Sequence, residues 1–151
     1  MAETTQFDPL FPETLTGEVM SIVIKDKDDT PNHVLQLGED WSVEVGWHLY
    51  GHNVAAIGGT WYVDVLLESM GPPNFEAKVG SCNKNLTAFD PTLSSPGHRH
   101  YKCVINIPAN TPPQAGLYRL VSLITYRNDA GQIMEMAGFR DGPLVHFFQP
   151  D

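Results

Sequence analysis

Histidines are the residues of this sequence with the clearest potential for chemistry, since six occur in 151 residues. His98 and His100 are separated by one residue, so an extended segment places both side chains on the same side. His48 ends a predicted strand on its outward face. If the two segments are neighbours in one sheet, His48, His98 and His100 converge on the outer surface. Three imidazoles suit zinc with one open position; the alternative is a chance meeting of surface histidines, with no carboxylate placed to orient them.

Other catalytic patterns receive little support from the sequence. Hydrolysis by a nucleophile would need an elbow such as Gly-x-Ser-x-Gly, and the sequence contains none. Asp64 and Glu68 share one face of a predicted strand, as a carboxylate pair for glycoside chemistry would. Acidic residues on a wet strand face more often serve solubility. The sequence therefore favours a non-enzymatic protein without a cofactor.

The charge balance restricts the possible partners. Eighteen acidic and nine basic residues give a formal net charge of −9, and the basic residues form no cluster. Such a chain repels phosphate backbones, so we expect neither nucleic acid nor an anionic membrane as a partner. The N-terminus lacks the basic and apolar regions of a secretory signal. We expect a soluble, cytoplasmic protein.

Cysteine chemistry has two interpretations in this sequence. Cys103 is in phase with Tyr101, Ile105 and Ile107, so it belongs to the buried face of its strand, and we predict a free thiol that packs as a small hydrophobic side chain. A disulfide between Cys82 and Cys103 is the alternative, and its geometry cannot be tested from the sequence.

Period-two alternation between Gly- and Pro-containing turns predicts strands throughout the chain. All three tryptophans, Trp41, Trp47 and Trp61, fall in phase with aliphatic residues and are predicted core. We expect an extended arm at 1–17, a single β-sandwich domain at 18–151, and a long loop at 82–99. The predicted strands are 19–25, 34–37, 41–49, 60–68, 75–79, 101–107, 117–127 and 132–148. Seven to nine strands favour a sandwich, with a jelly roll or small barrel as the alternative.

The segment 101–120 indicates which of these β architectures the chain adopts. A strand leads through a Pro-rich turn into Gly116-Leu117-Tyr118-Arg119-Leu120. This Gly-x-Tyr-x-apolar step resembles the tyrosine corner of immunoglobulin-like β-sandwiches, in which the Tyr hydrogen-bonds back to the preceding loop. Gln114 and Leu120 stand where antibody-type domains carry Asp and Cys. The resemblance is therefore to the all-β, antiparallel immunoglobulin-like architecture and to no narrower family.

The resemblance implies how the strands divide between two sheets. Strands at 18–25, 41–49 and 100–107 form one sheet, and those at 60–68, 117–127 and 132–148 form the other. The corner Tyr points inward, which leaves an apolar patch on the outer face of the second sheet. Its members are Tyr62, Leu66, Val121 and Leu123, joined by Met134 and Met136 or by Ile133.

An exposed apolar patch of this kind usually marks an interface. We expect an interaction domain that self-associates as a homo-oligomer or binds another protein, with Arg119 and an acidic rim setting specificity. Phe139 and Arg140, in the interrupted last strand, are further contact candidates. In the alternative, the N-terminal arm folds over the patch. A zinc-type protein using His48, His98 and His100 is the second functional hypothesis, and a carbohydrate-binding module is the third.

Overall fold

The part of the chain that the structure describes forms nine strands. The structure, a computed structural model, describes residues 5–8, 15–51, 58–72 and 74–150, and describes the backbone alone at 5–8, 15, 16, 20, 133–137 and 139. These residues contain no helix, and so none long enough to cross a membrane. The strands are β1 (Thr5–Asp8), β2 (Leu15–Lys25), β3 (Val34–Gln36), β4 (Trp41–Gly51), β5 (Thr60–Ser69), β6 (Glu76–Asn85), β7 (His98–Ile107), β8 (Gly116–Arg127) and β9 (Ile133–Phe148).

The strands form a sandwich of two sheets. The large sheet has the order β1-β9-β8-β5-β6, with β3 added in parallel along β9, and the small sheet has the order β2-β4-β7. All other pairings are antiparallel. The predicted division of strands between the sheets is confirmed, and the architecture is the immunoglobulin-like β-sandwich that the sequence suggested.

Aromatic side chains fill the centre of the sandwich because inward positions alternate along each strand. Trp47 and Tyr101 stack with ring centroids 5.6 Å apart, and Trp61 meets Trp47 edge to face at 6.1 Å. Trp41 packs against Phe147 at the other end, with centroids 5.2 Å apart. All three tryptophans are buried, as predicted. None of them offers a surface on which a sugar ring could stack.

The tyrosine corner is present. Tyr118 is buried at the beginning of β8, and its hydroxyl donates a hydrogen bond of 2.8 Å to the carbonyl of Gln114 in the preceding loop. The ring nitrogen of Trp41 donates to the carbonyl of Thr111, 2.8 Å away, in the same loop. These two bonds connect the loop before β8 to the core of the domain.

Strand β6 is longer than the sequence predicts. It continues to Asn85, where 75–79 was expected to end and a loop at 82–99 to follow. Its later residues pair with β5 as far as Thr60↔Asn85. A register shift of the β5–β6 pair between Val65 and Leu66 changes the alternation midway. The Ser, Asn and Lys residues beyond it have low strand propensity, so cross-strand pairing and not local composition forms this part of β6.

The N-terminal segment also forms more structure than an arm. Residues Thr5–Asp8 form β1, which pairs with β9 from Thr5↔Arg140 to Asp8↔Ala137, and β2 begins at Leu15. β1 thus lies beside β9 at the edge of the large sheet. The intervening residues are outside the described ranges.

The cysteines form a disulfide, and the prediction of a free thiol was wrong. Cys82 in β6 is bonded to Cys103 in β7, with the two Cα atoms 6.6 Å apart. β6 and β7 are edge strands of different sheets. The continuation of β6 past Val79 is what brings Cys82 opposite Cys103, so the bond joins the two layers of the sandwich.

Candidate functional site

The first candidate site is a triad of histidines on the outer face of the small sheet. His48 lies on β4 and is the direct cross-strand partner of His100 on β7. His98 is two residues earlier on β7 and pairs with Tyr50. Residues opposite each other in an antiparallel pair project from the same face, as do residues two apart on one strand. The predicted convergence of His48, His98 and His100 is therefore present, and we call this set the histidine triad.

The three rings are close enough to share one ion. One nitrogen from each ring lies within 4.8 Å of the other two. The Nδ1 atom of His48 and the Nε2 atom of His98 are 2.9 Å apart, a hydrogen-bond distance. Ring centroids are separated by 4.5 Å for His98 and His100 and by 5.4 Å for His48 and His100. The ring of Tyr50 borders the triad, 5.1 Å from that of His48.

The backbone beneath the triad is held by a turn that precedes β7. The amides and carbonyls of Ser95 and His98 exchange two hydrogen bonds of 2.9 Å. The amide of His100 donates to the hydroxyl of Ser94 at 3.0 Å, and its carbonyl accepts from the amide of Asp90 at 2.8 Å. Positions on hydrogen-bonded strands are more precise than positions on loops. These bonds therefore fix the backbone positions of the two β7 histidines.

Two of the rings have a lowered pKa, chiefly because they are partly buried. Burial, and then the neighbouring His98, hold the pKa of His48 below its ordinary value, against an opposing effect of Glu18. Burial and His98 likewise lower the pKa of His100, with Asp90 opposing. Glu18 is the cross-strand partner of His48 on β2. Two carboxylates thus act on the triad that sequence reasoning did not place there.

The candidate metal ligands of this site are three histidine ring nitrogens. Both cysteines are committed to the disulfide, so no thiolate is present among the described residues. Two other histidines belong to a different region: the amide of His146 donates to the carbonyl of His33, 2.8 Å away. His52 is outside the described residues. Chemically, the triad can hold a transition-metal ion, for which neutral imidazole is a preferred ligand.

The second candidate site is the outer face of the large sheet. Leu66 on β5 is the cross-strand partner of Val121 on β8, and Leu123 follows on the same face of β8 beside Asp64. Leu123 is 37% exposed, while Leu66 and Val121 are half-buried. These three side chains therefore lie on the outer side of the large sheet, along β5 and β8.

The remaining predicted members of this face differ in their surroundings. The ring of Tyr62 is covered by the guanidinium of Arg127, 4.2 Å from the ring centroid. Arg119 is the cross-strand partner of Glu68. Tyr62 and Arg119 are both half-buried. They contribute a polar border around the apolar centre.

The two candidates on β9 lie in different places. The backbone of Phe139 is paired with Leu123, and its side chain is outside the described residues, as are those of Ile133, Met134 and Met136. Arg140 donates from Nη1 to the carbonyl of Val19, 3.2 Å away on β2. Its cross-strand partner is the fully buried Ser122. Arg140 therefore belongs to the contact between the two sheets, and the outer face does not include it.

The charges on this outer face nearly cancel. By the register of β5, β6, β8 and β9, the basic side chains here are Lys78, Arg119 and Arg127, and the acidic ones are Asp64, Glu68, Glu76 and Asp141. The described part of the face thus has one excess acidic group, whereas the whole chain carries −9.

Asp64 is not part of an isolated carboxylate pair. Its Oδ1 atom lies 3.8 Å from Nζ of Lys78. A glycoside hydrolase needs two carboxyl groups on either side of the bond that it cleaves. The surroundings of Asp64 do not favour glycoside chemistry.

Comparison with known proteins establishes the fold. No protein-family model matches this sequence, and no curated protein is significantly similar to it. The chain is similar in structure to the C-terminal domain of Wzt, with a TM-score of 0.56 and 10% identity over 99% of this chain and 80% of that one. At this identity the similarity concerns the fold, which is an all-β, immunoglobulin-like domain.

Two further structures are similar to this chain at lower TM-scores. One is a CARDB domain from Pyrococcus furiosus in complex with di-metal ions, with a TM-score of 0.47 and 16% identity over 91% of this chain and 97% of that one. The other is a bacterial adhesin from Mobiluncus mulieris, with a TM-score of 0.47 and 7% identity over 91% of this chain and 58% of that one. Neither similarity bears on the chemistry of this chain.

Proposed function

We propose that this protein is a non-enzymatic interaction domain that self-associates through the outer face of its large sheet. A second copy of the same chain is the partner. The observation that supports this most directly is an apolar centre of Leu66, Val121 and Leu123 on a nearly neutral face of an otherwise acidic chain. The fold similarity is consistent with an interaction domain.

The face has the size of a stable dimer interface. Four neighbouring strands of about ten residues cover roughly 19 by 33 Å, or about 600 Å² in projection, at the usual spacings of strands and residues. A standard interface buries about 800 Å² of accessible surface per partner. Because side chains add relief to a projected area, this single face is large enough.

Charge favours a second copy as the partner. Two chains of net charge −9 repel each other over most of their surfaces. The repulsion is reduced where acidic and basic groups lie side by side, as Arg119 and Glu68 do on this face. In a two-fold symmetric dimer the same patch meets itself, so a patch with both charge signs can pair Arg119 with the acidic groups of the other copy.

The test compares two matched substitutions on opposite faces of the sandwich. Leu123→Asp introduces a charge into the centre of the proposed interface. Val104→Asp introduces the same charge on the small sheet, where Val104 is 49% exposed. Both positions are exposed strand residues, so similar effects on folding are expected. Oligomeric state is measured by native mass spectrometry and by light scattering after size exclusion, over a range of concentrations.

The expected result is a dimer for the wild type and for Val104→Asp, and a monomer for Leu123→Asp. Each dimer contains the Leu123→Asp substitution twice, and each copy should cost about 1–2 kcal/mol of binding free energy. The Kd of the dimer should therefore rise by about 30- to 1000-fold. A wild type that stays monomeric at all concentrations contradicts self-association, as does equal dissociation of the two variants.

A further inference from the structure

We propose that the histidine triad, His48, His98 and His100, is a binding site for one divalent transition-metal ion, with zinc as the preferred ion. This site is on the outer face of the small sheet, away from the proposed dimer interface. The inference is therefore independent of the proposed function.

The geometry needs little adjustment to hold the ion. Zinc–nitrogen bonds of about 2.0–2.1 Å in a tetrahedral site place ligand nitrogens about 3.3 Å apart. In the triad, the closest pair, on His48 and His98, is 2.9 Å apart, and the three ligand nitrogens lie within 4.8 Å of one another. We expect small rotations of the three side chains to close this difference, with the strands in their present positions.

One nitrogen of His48 lacks a hydrogen-bond partner within the described protein. Its Nε2 atom is buried and has no hydrogen-bond partner among the described residues. Buried polar atoms are nearly always hydrogen-bonded, so an exception calls for an explanation. When a metal binds to an imidazole, one ring nitrogen coordinates it and the other is left to donate a hydrogen bond. If Nε2 coordinates the ion, the ion is its missing partner; if Nδ1 coordinates the ion, Nε2 is the nitrogen left to donate.

The donor set selects the class of ion. Three imidazoles without a thiolate suit zinc, copper(II) and nickel(II), whereas calcium and magnesium require oxygen ligands. Zinc accepts three histidines with a fourth position left open. Glu18, which is exposed and directly opposite His48 across β2 and β4, adds a negative charge beside the site. That charge offsets part of the charge of the ion.

Binding would also have a structural consequence. His98 and His100 follow the turn at Ser95–Gly97, and His48 lies on the neighbouring β4 near the end of the strand. An ion held by all three would join the beginning of β7 to β4. It would thus stabilise the folded protein in proportion to its free concentration relative to Kd.

The experiment titrates purified, untagged protein with zinc sulfate by calorimetry and by competition with a chromophoric chelator. Cobalt(II) serves as a spectroscopic probe, because a four-coordinate centre absorbs visible light strongly. The test variant is the double substitution His98→Ala and His100→Ala. The matched control removes two other histidines, His33→Ala and His146→Ala, which are exposed and distant from the triad.

We expect one zinc per chain with a Kd of about 1 μM or lower. Zinc at 100 times Kd should raise Tm by roughly 5–10 °C. The test variant should bind at least about 100-fold more weakly, and the control variant should bind as the wild type does.

The absence of stoichiometric zinc binding to the wild type would overturn the proposal. So would an equal loss of binding in the control variant, which would indicate nonspecific binding by surface histidines. If the test variant fails to fold, the wild-type stoichiometry and the visible spectrum of its cobalt complex still decide the question. A weak spectrum typical of hydrated cobalt would count against the site.

Discussion

Removal of the hydroxyl of Tyr118 tests whether the tyrosine corner stabilises this domain strongly. Tyr118→Phe deletes the 2.8 Å hydrogen bond to the carbonyl of Gln114. Gln114 is exposed, so water can replace the lost donor. A neutral hydrogen bond whose acceptor is rehydrated contributes about 0.5–1.5 kcal/mol to the free energy of unfolding. We therefore expect a loss of about 1 kcal/mol, or about 2–4 °C in Tm for a chain of this length.

A second tyrosine provides the contrast. The hydroxyl of Tyr101 donates a 2.7 Å bond to the carbonyl of Leu86, a fully buried residue. After Tyr101→Phe, the partner left to this carbonyl among the described residues is Nη1 of Arg99, at the longer distance of 3.4 Å. Leaving a buried acceptor poorly satisfied costs about 1–3 kcal/mol. The expected loss is about 2 kcal/mol, or roughly 4–8 °C in Tm.

Chemical denaturation followed by tryptophan fluorescence measures both losses, with Tyr50→Phe as a surface control, since Tyr50 is 43% exposed. The control should change stability by less than about 0.5 kcal/mol. If Tyr118→Phe costs as much as Tyr101→Phe, the reasoning from acceptor burial is wrong. Burial raises the pKa of the Tyr101 hydroxyl. The contribution of this hydroxyl to the free energy of unfolding is therefore complete below the unfolded-state pKa and is lost as the pH rises through the folded-state pKa.

Three further predictions concern particular residues. Replacing Cys82 and Cys103 by Ser should lower the free energy of unfolding by about 3 kcal/mol, because the disulfide closes a loop with a sequence separation of 21 residues. Equal stabilities of the reduced and the oxidised wild type would contradict this prediction. Gly80→Ala places a Cβ atom 2.5 Å from Cγ2 of the buried Ile105, so we expect a loss of about 1–3 kcal/mol by thermal denaturation, and no loss would refute the close packing. The pKa of Asp26 is lowered by several hydrogen-bond donors, first among them the backbone amide of Thr30. The stabilisation that these bonds give to the loop at Asp26–Thr30 should therefore be present above the unfolded-state pKa and be lost as the pH falls through the folded-state pKa. NMR titration of the Asp26 carboxyl measures this pKa, and an ordinary value would contradict the prediction.

The outer face of the large sheet and the histidine triad differ in how far they could be predicted. The outward position of Leu123 follows from period-two alternation, starting at the inward Tyr118. The convergence of His48 with His100 needed one more assumption, that β4 and β7 are neighbours. Their exact pairing depends on register, since a slip of one residue would move every side chain to the opposite face. The contributions of Glu18 and Asp90 could not be predicted, because β2 and the loop before β7 meet the triad only in the folded chain.

The sequence by itself determined the features that depend on local order. Alternation of apolar and polar residues determined the buried tryptophans and the strands, and the Gly-x-Tyr step at Gly116–Tyr118 indicated the immunoglobulin-like fold. Each of these signals extends over a few residues, within which side-chain direction is set by backbone geometry.

The tertiary structure alone decided the features that depend on contacts between distant segments. The later half of β6 is held by its partner strand, since its own residues are weak strand formers. That extension placed Cys82 against Cys103, and the approach of β9 to β2 directed Arg140 toward the carbonyl of Val19. The energies that fix these positions come from pairing and burial between segments far apart in the chain, and no local pattern of residues carries that information.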